Sequence, residues 1–114
     1  MRRRMMKSKI HRATVTGAEL DYAGSISLDT ELMKRADILE FEQVAVLDVD
    51  NGNRFETYVI AGDPGQVQLN GAAARLVEVG HKVIVITYAD YDDSELASGF
   101  EPLVVKVDAE NRVL

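Results

Sequence analysis

The 114 residues carry 13 Lys and Arg against 19 Asp and Glu, a formal net charge of −6, which argues against a nucleic-acid partner because phosphate binding needs a basic surface. With no cysteine and two histidines, disulfides, thiolate metal sites and a histidine-rich metal centre are not expected. The 46% hydrophobic and 28% charged content is that of one ordinary globular domain with a single modest core.

The first nine residues are basic (Arg2, Arg3, Arg4, Lys7 and Lys9) and read as a basic arm. No apolar run of about seven residues follows, so an export signal is not expected. The longest such run, Val83-Ile84-Val85-Ile86, is far short of the roughly 20 residues of a membrane helix. A cytoplasmic protein without metal or membrane contact is the expectation.

Along the chain the pattern predicts many short strands. Residues 10–16 include β-branched side chains and alternate roughly in polarity, and residues 22–28 read as a second strand interrupted at Gly24. Residues 29–36 offer Asp29 as an N-cap, an early acid and late bases, which predicts a short helix. Two β-rich runs, 41–49 and 54–60, flank Asp50-Asn51-Gly52-Asn53, and Asn-Gly between such runs signals a hairpin. Gly62-Asp63-Pro64-Gly65 marks a turn before a short strand at 66–69. Residues 70–76 read as an Asn70 N-cap with one or two helical turns. Residues 81–88 form a strongly apolar strand, 90–98 are polar and hold a helical turn, and 103–107 with 112–114 make a last hairpin. Many short, evenly spaced strands with small helices point to a closed or nearly closed β-barrel.

Chemistry is carried by four places. In Leu20-Asp21-Tyr22-Ala23-Gly24-Ser25-Ile26, a serine hydroxyl in the right setting can attack the carbonyl of the residue before it, here Gly24, and cut its own backbone. Glycine's bare, permissive backbone eases that attack, though Gly-Ser also reads as a turn or strand kink. A donor to the oxyanion is needed, and Tyr22, Thr57 and Tyr58 are hydroxyl-bearing candidates. Alternation along a strand puts Arg54, Glu56 and Tyr58 on one face, with Phe55 and Thr57 on the other. Arg54 offers a planar fork for a carboxylate; an exposed arginine and a half-buried tyrosine on a hairpin would look the same. Asn70-Gly71-Ala72-Ala73 presents free backbone N–H groups beside small side chains, which suits a carboxylate. Lys9 and His11 share one face of the first strand.

In this order, Lys9-Ile10-His11-Arg12-Ala13, Tyr22-Ala23-Gly24-Ser25, Asn51-Gly52-Asn53-Arg54-Phe55-Glu56-Thr57-Tyr58 and Asn70-Gly71-Ala72-Ala73-Ala74 resemble the aspartate 1-decarboxylases, pyruvoyl-dependent enzymes that make β-alanine for pantothenate synthesis. The likeness runs over residues 6–88, with a shortened turn at 63–68; the tail beyond Tyr88 carries little of it.

The resemblance implies a mainly β fold, a double-psi β-barrel with short helices, and a homotetramer with sites between subunits. It implies a single domain self-cleaved into residues 1–24 and 25–114, with a pyruvoyl cofactor made from Ser25 that would hold the amine of L-aspartate as a Schiff base. Thr57 would polarise the Gly24 carbonyl and later touch substrate, and Tyr58 would donate a proton. Arg54 and Lys9 would hold carboxylates, the Gly71-Ala72-Ala73 backbone would line the site, and His11, Tyr22 and Asn70 would support it. No maturation partner is assigned. Three other readings are a non-catalytic barrel module with Gly24-Ser25 intact, a pyruvoyl enzyme for another amino acid, and a basic nucleic-acid arm. Arg54 with Lys9 favours a dicarboxylate, and the acidic remainder of the chain opposes the third.

Overall fold

Most segments with alternating polarity become strands. In the computed structural model, which describes residues 1–114, β1 spans Arg2–Thr14, β2 Gly17–Glu19, β3 Ser25–Asp29, β4 Gln43–Asp48, β5 Arg54–Gly62, β6 Val67–Asn70, β7 Lys82–Asp92 and β8 Leu103–Lys106. They pair in the order β2-β6-β3-β5-β4-β7-β1-β8. The mainly β class is as expected. No ladder joins the edge strands β2 and β8, so the sheet is not closed and the double-psi barrel is not itself seen.

The hairpin β4–β5 forms where Asn-Gly predicts it, with Gln43 opposite Tyr58 and Leu47 opposite Arg54. Gly52 takes the left-handed conformation (φ 79°) that such a turn requires. Helix α1, Thr30–Arg35, is capped by Asp29, whose carboxylate accepts from the Glu31 amide at 2.7 Å; its other oxygen accepts from the Gly65 amide, also at 2.7 Å. One acid thus starts the helix and holds the turn after β5. Fully buried Ile10, Ile26, Leu28, Val46, Val59, Leu69 and Val85 centre the core, and β3 is buried along its whole length.

Four expectations need correction. Strand β1 begins at Arg2, well before residue 10, because Arg2, Arg3 and Arg4 pair across the ladder with Asp92, Tyr91 and Asp90 at the end of an equally extended β7. Arg4 meets the Asp90 carboxylate at 3.3 Å and Arg3 meets Asp93 at 3.6 Å. The basic start is therefore a strand facing acids of its own chain rather than a free arm. These exposed pairs contribute about 1 kcal/mol at most, so charge compatibility sets the pairing more than it stabilises it. Strand β3 starts at Ser25, leaving residues 20–24 as a turn and bend. Residues 71–76 form a 3₁₀ helix without a side-chain cap from Asn70, because that side chain is used elsewhere. The last hairpin is reduced to a bridge between Val107 and Val113. The polar segment does hold a helix, α2 (Asp93–Ala97), closed by an Asp92–Glu95 capping box.

Candidate active site

The cleavage candidate and the Asn-Gly-Ala-Ala motif, 45 residues apart in sequence, meet across one ladder. Strands β3 and β6 run antiparallel with Ser25 directly opposite Asn70. Both are essentially buried, Ser25 at 1% and Asn70 at 0% exposure. The Asn70 amide donates to Ser25 Oγ at 2.9 Å and to Ser27 Oγ at 3.0 Å, and its carbonyl oxygen accepts from Gln68 at 2.9 Å. Ser25 Oγ donates to the Ala23 carbonyl at 3.0 Å. A buried amide with all these bonds satisfied is a fixed object, and it holds the serine oxygen in one place. That is the role Asn70 has instead of capping.

Gly71 is a glycine for two reasons. Its φ is +66°, and a Cβ there would stand 2.7 Å from Gly24 Cα, 2.9 Å from Gly24 N and 3.2 Å from the Tyr22 carbonyl oxygen. The backbone of the second motif is therefore packed directly on the first. Nothing lies within 4 Å of the position a Gly24 Cβ would take, so that side of the Gly24-Ser25 peptide is open. Tyr22 itself is exposed, with its carbonyl against Gly71. Of the following alanines, Ala73 packs on the core and Ala72 faces out.

Strand β5 runs parallel to β3 on its other side, with Ile26 paired to Val59. Along their own segments Ser25 and Gly24 lie one and two residues before Ile26, as Tyr58 and Thr57 do before Val59. The alternation is as predicted: Arg54, Glu56 and Tyr58 are exposed, while Phe55 and Thr57 are half-buried. Ser25 bonds only Ala23 and Asn70, so neither Thr57 nor Tyr58 shares in holding it.

Lys9 and His11 are not brought to this place within one chain. Strands β5, β4 and β7 separate β3 from β1 in the ladder. His11 Nδ1 is buried without a hydrogen-bond partner. Burial first, and then the charges of Lys9, Arg12 and Lys106, hold its pKa below the ordinary 6.5.

A model of the aspartate decarboxylases matches residues 1–114. The chain belongs to the aspartate decarboxylase family. It is 57% identical over 112 residues to the aspartate 1-decarboxylase of Acetivibrio thermocellus, covering 96% of this chain and 88% of that protein. It is 56% identical over 111 residues to that of Clostridium botulinum (strain 657 / Type Ba4), covering 96% and 87%. The Wolinella succinogenes enzyme of the same name is 54% identical over 112 residues, covering 96% and 92%. The likeness therefore extends beyond Tyr88, where the motifs gave out.

Two further ties hold the motif-bearing segments, and the motifs themselves do not show them. Asn51 and Asn53 in the hairpin turn both donate to the Leu76 carbonyl, at 3.0 and 2.9 Å. They fasten the turn before Arg54 to the end of the helix that begins at Gly71. Buried Asp48 accepts from the amides of Asp50 and Asn51 at 2.8 and 3.2 Å and contacts His81 Nδ1 at 2.6 Å. Asp48, Asp50 and His81 lie close enough to suggest a cation site, but the buried carboxylate is already committed to the turn and the imidazole. The bond to Asp48 raises the His81 pKa above 6.5. An Asp one residue before a turn and a His just before the next strand are the sequence signals that could have found this clamp.

Proposed function

We propose that the chain decarboxylates L-aspartate at the α-carbon to β-alanine and CO2, feeding pantothenate synthesis, after cutting itself between Gly24 and Ser25. The observation that carries the reading is the buried Asn70 amide on the Ser25 hydroxyl, beside a glycine packed against Gly24. That arrangement costs a buried polar network and a left-handed residue, and both converge on one peptide bond.

Self-cleavage is chemistry of the chain's own atoms. Ser25 Oγ bonds to the Gly24 carbonyl carbon as the C–N bond breaks, and the hydroxyl proton passes to the freed nitrogen. Elimination takes the Ser25 α-proton and releases Gly24 as a carboxylate. Water then replaces the nitrogen, lost as ammonia, and leaves a ketone at the new N-terminus of residues 25–114. Thr57, on the strand β5 that pairs with β3, would donate to the Gly24 oxygen as charge develops there.

The resulting pyruvoyl group supplies the electron sink for loss of CO2. Residues fit around it: the site has a pre-held serine oxygen and an open side at Gly24. Arg54 grips the carboxylate that is retained, because pairing the departing one would stabilise the ground state over a transition state that is losing its charge. Tyr58 delivers the proton that replaces CO2. Lys9 and His11, which find no partner near Ser25 in their own chain, serve a site built between subunits of a homotetramer. No helix is long and apolar enough to cross a membrane; we place the enzyme in the cytoplasm.

Intact mass under denaturing conditions tests the reading. Two species split after Gly24 are expected, the larger with a blocked N-terminus that reacts with hydrazines, together with β-alanine formed from aspartate. A chain that stays whole on ageing and warming and leaves aspartate untouched would replace this reading with that of a binding module.

A further inference from the structure

Phe41 is the least economical residue in the molecule. It is not glycine, yet its φ is +72°, and the residue is 72% exposed. A bulky side chain in the left-handed region is strained, and such strain persists where the surroundings over-determine it, often at functional sites. An exposed ring contributes little burial in return.

The strain has a local origin. Phe41 N–H donates to the Val59 carbonyl at 2.7 Å, while Val59 N–H donates to the Glu42 carbonyl at 3.1 Å. Two residues of one chain segment therefore face a single residue of β5, which is a β-bulge with Phe41 at the left-handed position that glycine usually fills. The bulge is pinned from behind. The Glu42 carboxylate accepts from the Leu39 amide at 3.0 Å and from Lys7 Nζ at 2.8 Å. Bulges re-aim side chains and recur beside active sites. This one aims the Phe41 ring at Tyr58, the residue before Val59, with centroids 6.3 Å apart and planes tilted by 38°.

We infer that Phe41 is a positioning residue for Tyr58: the bulge sets its ring as a brace that fixes the direction of the phenol. The inference rests on the proposed reaction, in which the Tyr58 Oη proton goes to the carbon that CO2 leaves and the phenolate is reprotonated by water. Without the brace, an exposed tyrosine on a strand face has rotamer freedom, and its proton reaches that carbon less often and from more directions.

Three variants of the mature enzyme test this: Phe41→Gly, Phe41→Tyr and Tyr58→Phe. Glycine suits the bulge, so Phe41→Gly is expected to fold with an undiminished melting temperature. Its kcat is expected to fall about two- to tenfold, the scale of one aromatic pair, with KM for aspartate unchanged. In D2O, deuterium entering the amine-bearing carbon of β-alanine with one handedness in wild type is expected to become mixed. Phe41→Tyr should restore both properties. A readout independent of turnover is the NMR of 13C-tyrosine in the uncleaved Ser25→Ala chain, where Phe41→Gly should shift the Tyr58 ring signals.

If Tyr58→Phe is inactive but Phe41→Gly keeps wild-type kcat and handedness, the brace is overturned and the reaction stands. If Tyr58→Phe retains wild-type turnover, the proton-donor reading beneath it fails instead. A Phe41→Gly protein that dissociates yet turns over normally per assembled site would make Phe41 a subunit contact and overturn the inference.

Discussion

The Asn70 side-chain nitrogen lies 2.9 Å from Ser25 Oγ, on the adjacent strand and directly opposite it. The oxygen proposed to attack the backbone is thus located by a side chain from a different motif. Asn70→Ala should slow the appearance of the 25–114 fragment by roughly tenfold or more, the scale of one lost orienting hydrogen bond at 1.4 kcal/mol per decade. It also strips a donor from buried Ser27, so a stability loss of about 1–3 kcal/mol is expected in urea melts of the uncleaved chain. A time course of intact mass reads the first effect. Cleavage at wild-type rate in a destabilised protein would show that Asn70 serves the fold alone.

Gly71 and Gly52 both have positive φ, at +66° and +79°, but only Gly71 has neighbours in the way. Alanine at position 52 meets nothing within 4 Å and should cost about 1 kcal/mol for the left-handed backbone, with cleavage retained. Alanine at position 71 carries the same backbone cost and must also push Gly24 aside. We expect Gly71→Ala to abolish or strongly retard cleavage while far-UV circular dichroism still reports a β-sheet. Equal cleavage rates in the two variants would mean that the close approach to Gly24 does not matter.

How much of this was legible in the sequence depended on whether the cause was local. The β4–β5 hairpin, the Asp29 cap and the outward face of Arg54, Glu56 and Tyr58 follow from turn chemistry and period-2 alternation, and all are present. The strand formed by Arg2 to Arg4 is not legible locally, because its acidic partners stand 86 or more residues away in sequence. Asn70 departs from its expected cap for a related reason. A cap is a local use of an asparagine, whereas the actual use depends on which strand lies alongside. The bulge at Phe41 left no signal at all, since the left-handed position it occupies normally announces itself with glycine. The order of motifs carries the proposed site residues only as a resemblance, whereas the packing of Gly71 on Gly24 brings two of those motifs together in the fold.

Lys9 and Ser25 give a test of a shared site. If Lys9 serves the Ser25 of another subunit, a Lys9→Ala chain and a Ser25→Ala chain are each inactive alone. Co-expressed in one assembly, some sites would combine the intact Lys9 of one chain with the pyruvoyl of the other. We expect activity to return to at most about a quarter of wild type for random mixing of two chains per site, an order-of-magnitude figure that assumes independent subunits. Complete absence of activity in a verified mixed oligomer would place Lys9 and Ser25 of the same chain in one site.

His81 and His11 should bend the pH dependence of stability in opposite senses. Asp48 raises the His81 pKa above 6.5, so the folded state holds that proton more tightly than the unfolded chain. The resulting stabilisation is present in full below pH 6.5 and is lost as the pH rises through the raised value. The His11 pKa is lowered by burial and by neighbouring cations; the unfolded chain binds that proton better, so stability falls as the pH drops below 6.5. Melting temperatures of the uncleaved Ser25→Ala chain, measured from pH 5 to 9 at constant ionic strength, separate the two. His81→Gln should remove the loss on the alkaline side, and His11→Gln should remove the loss on the acid side. An alkaline slope that survives His81→Gln would mean that the 2.6 Å contact with Asp48 does not couple the histidine to the fold.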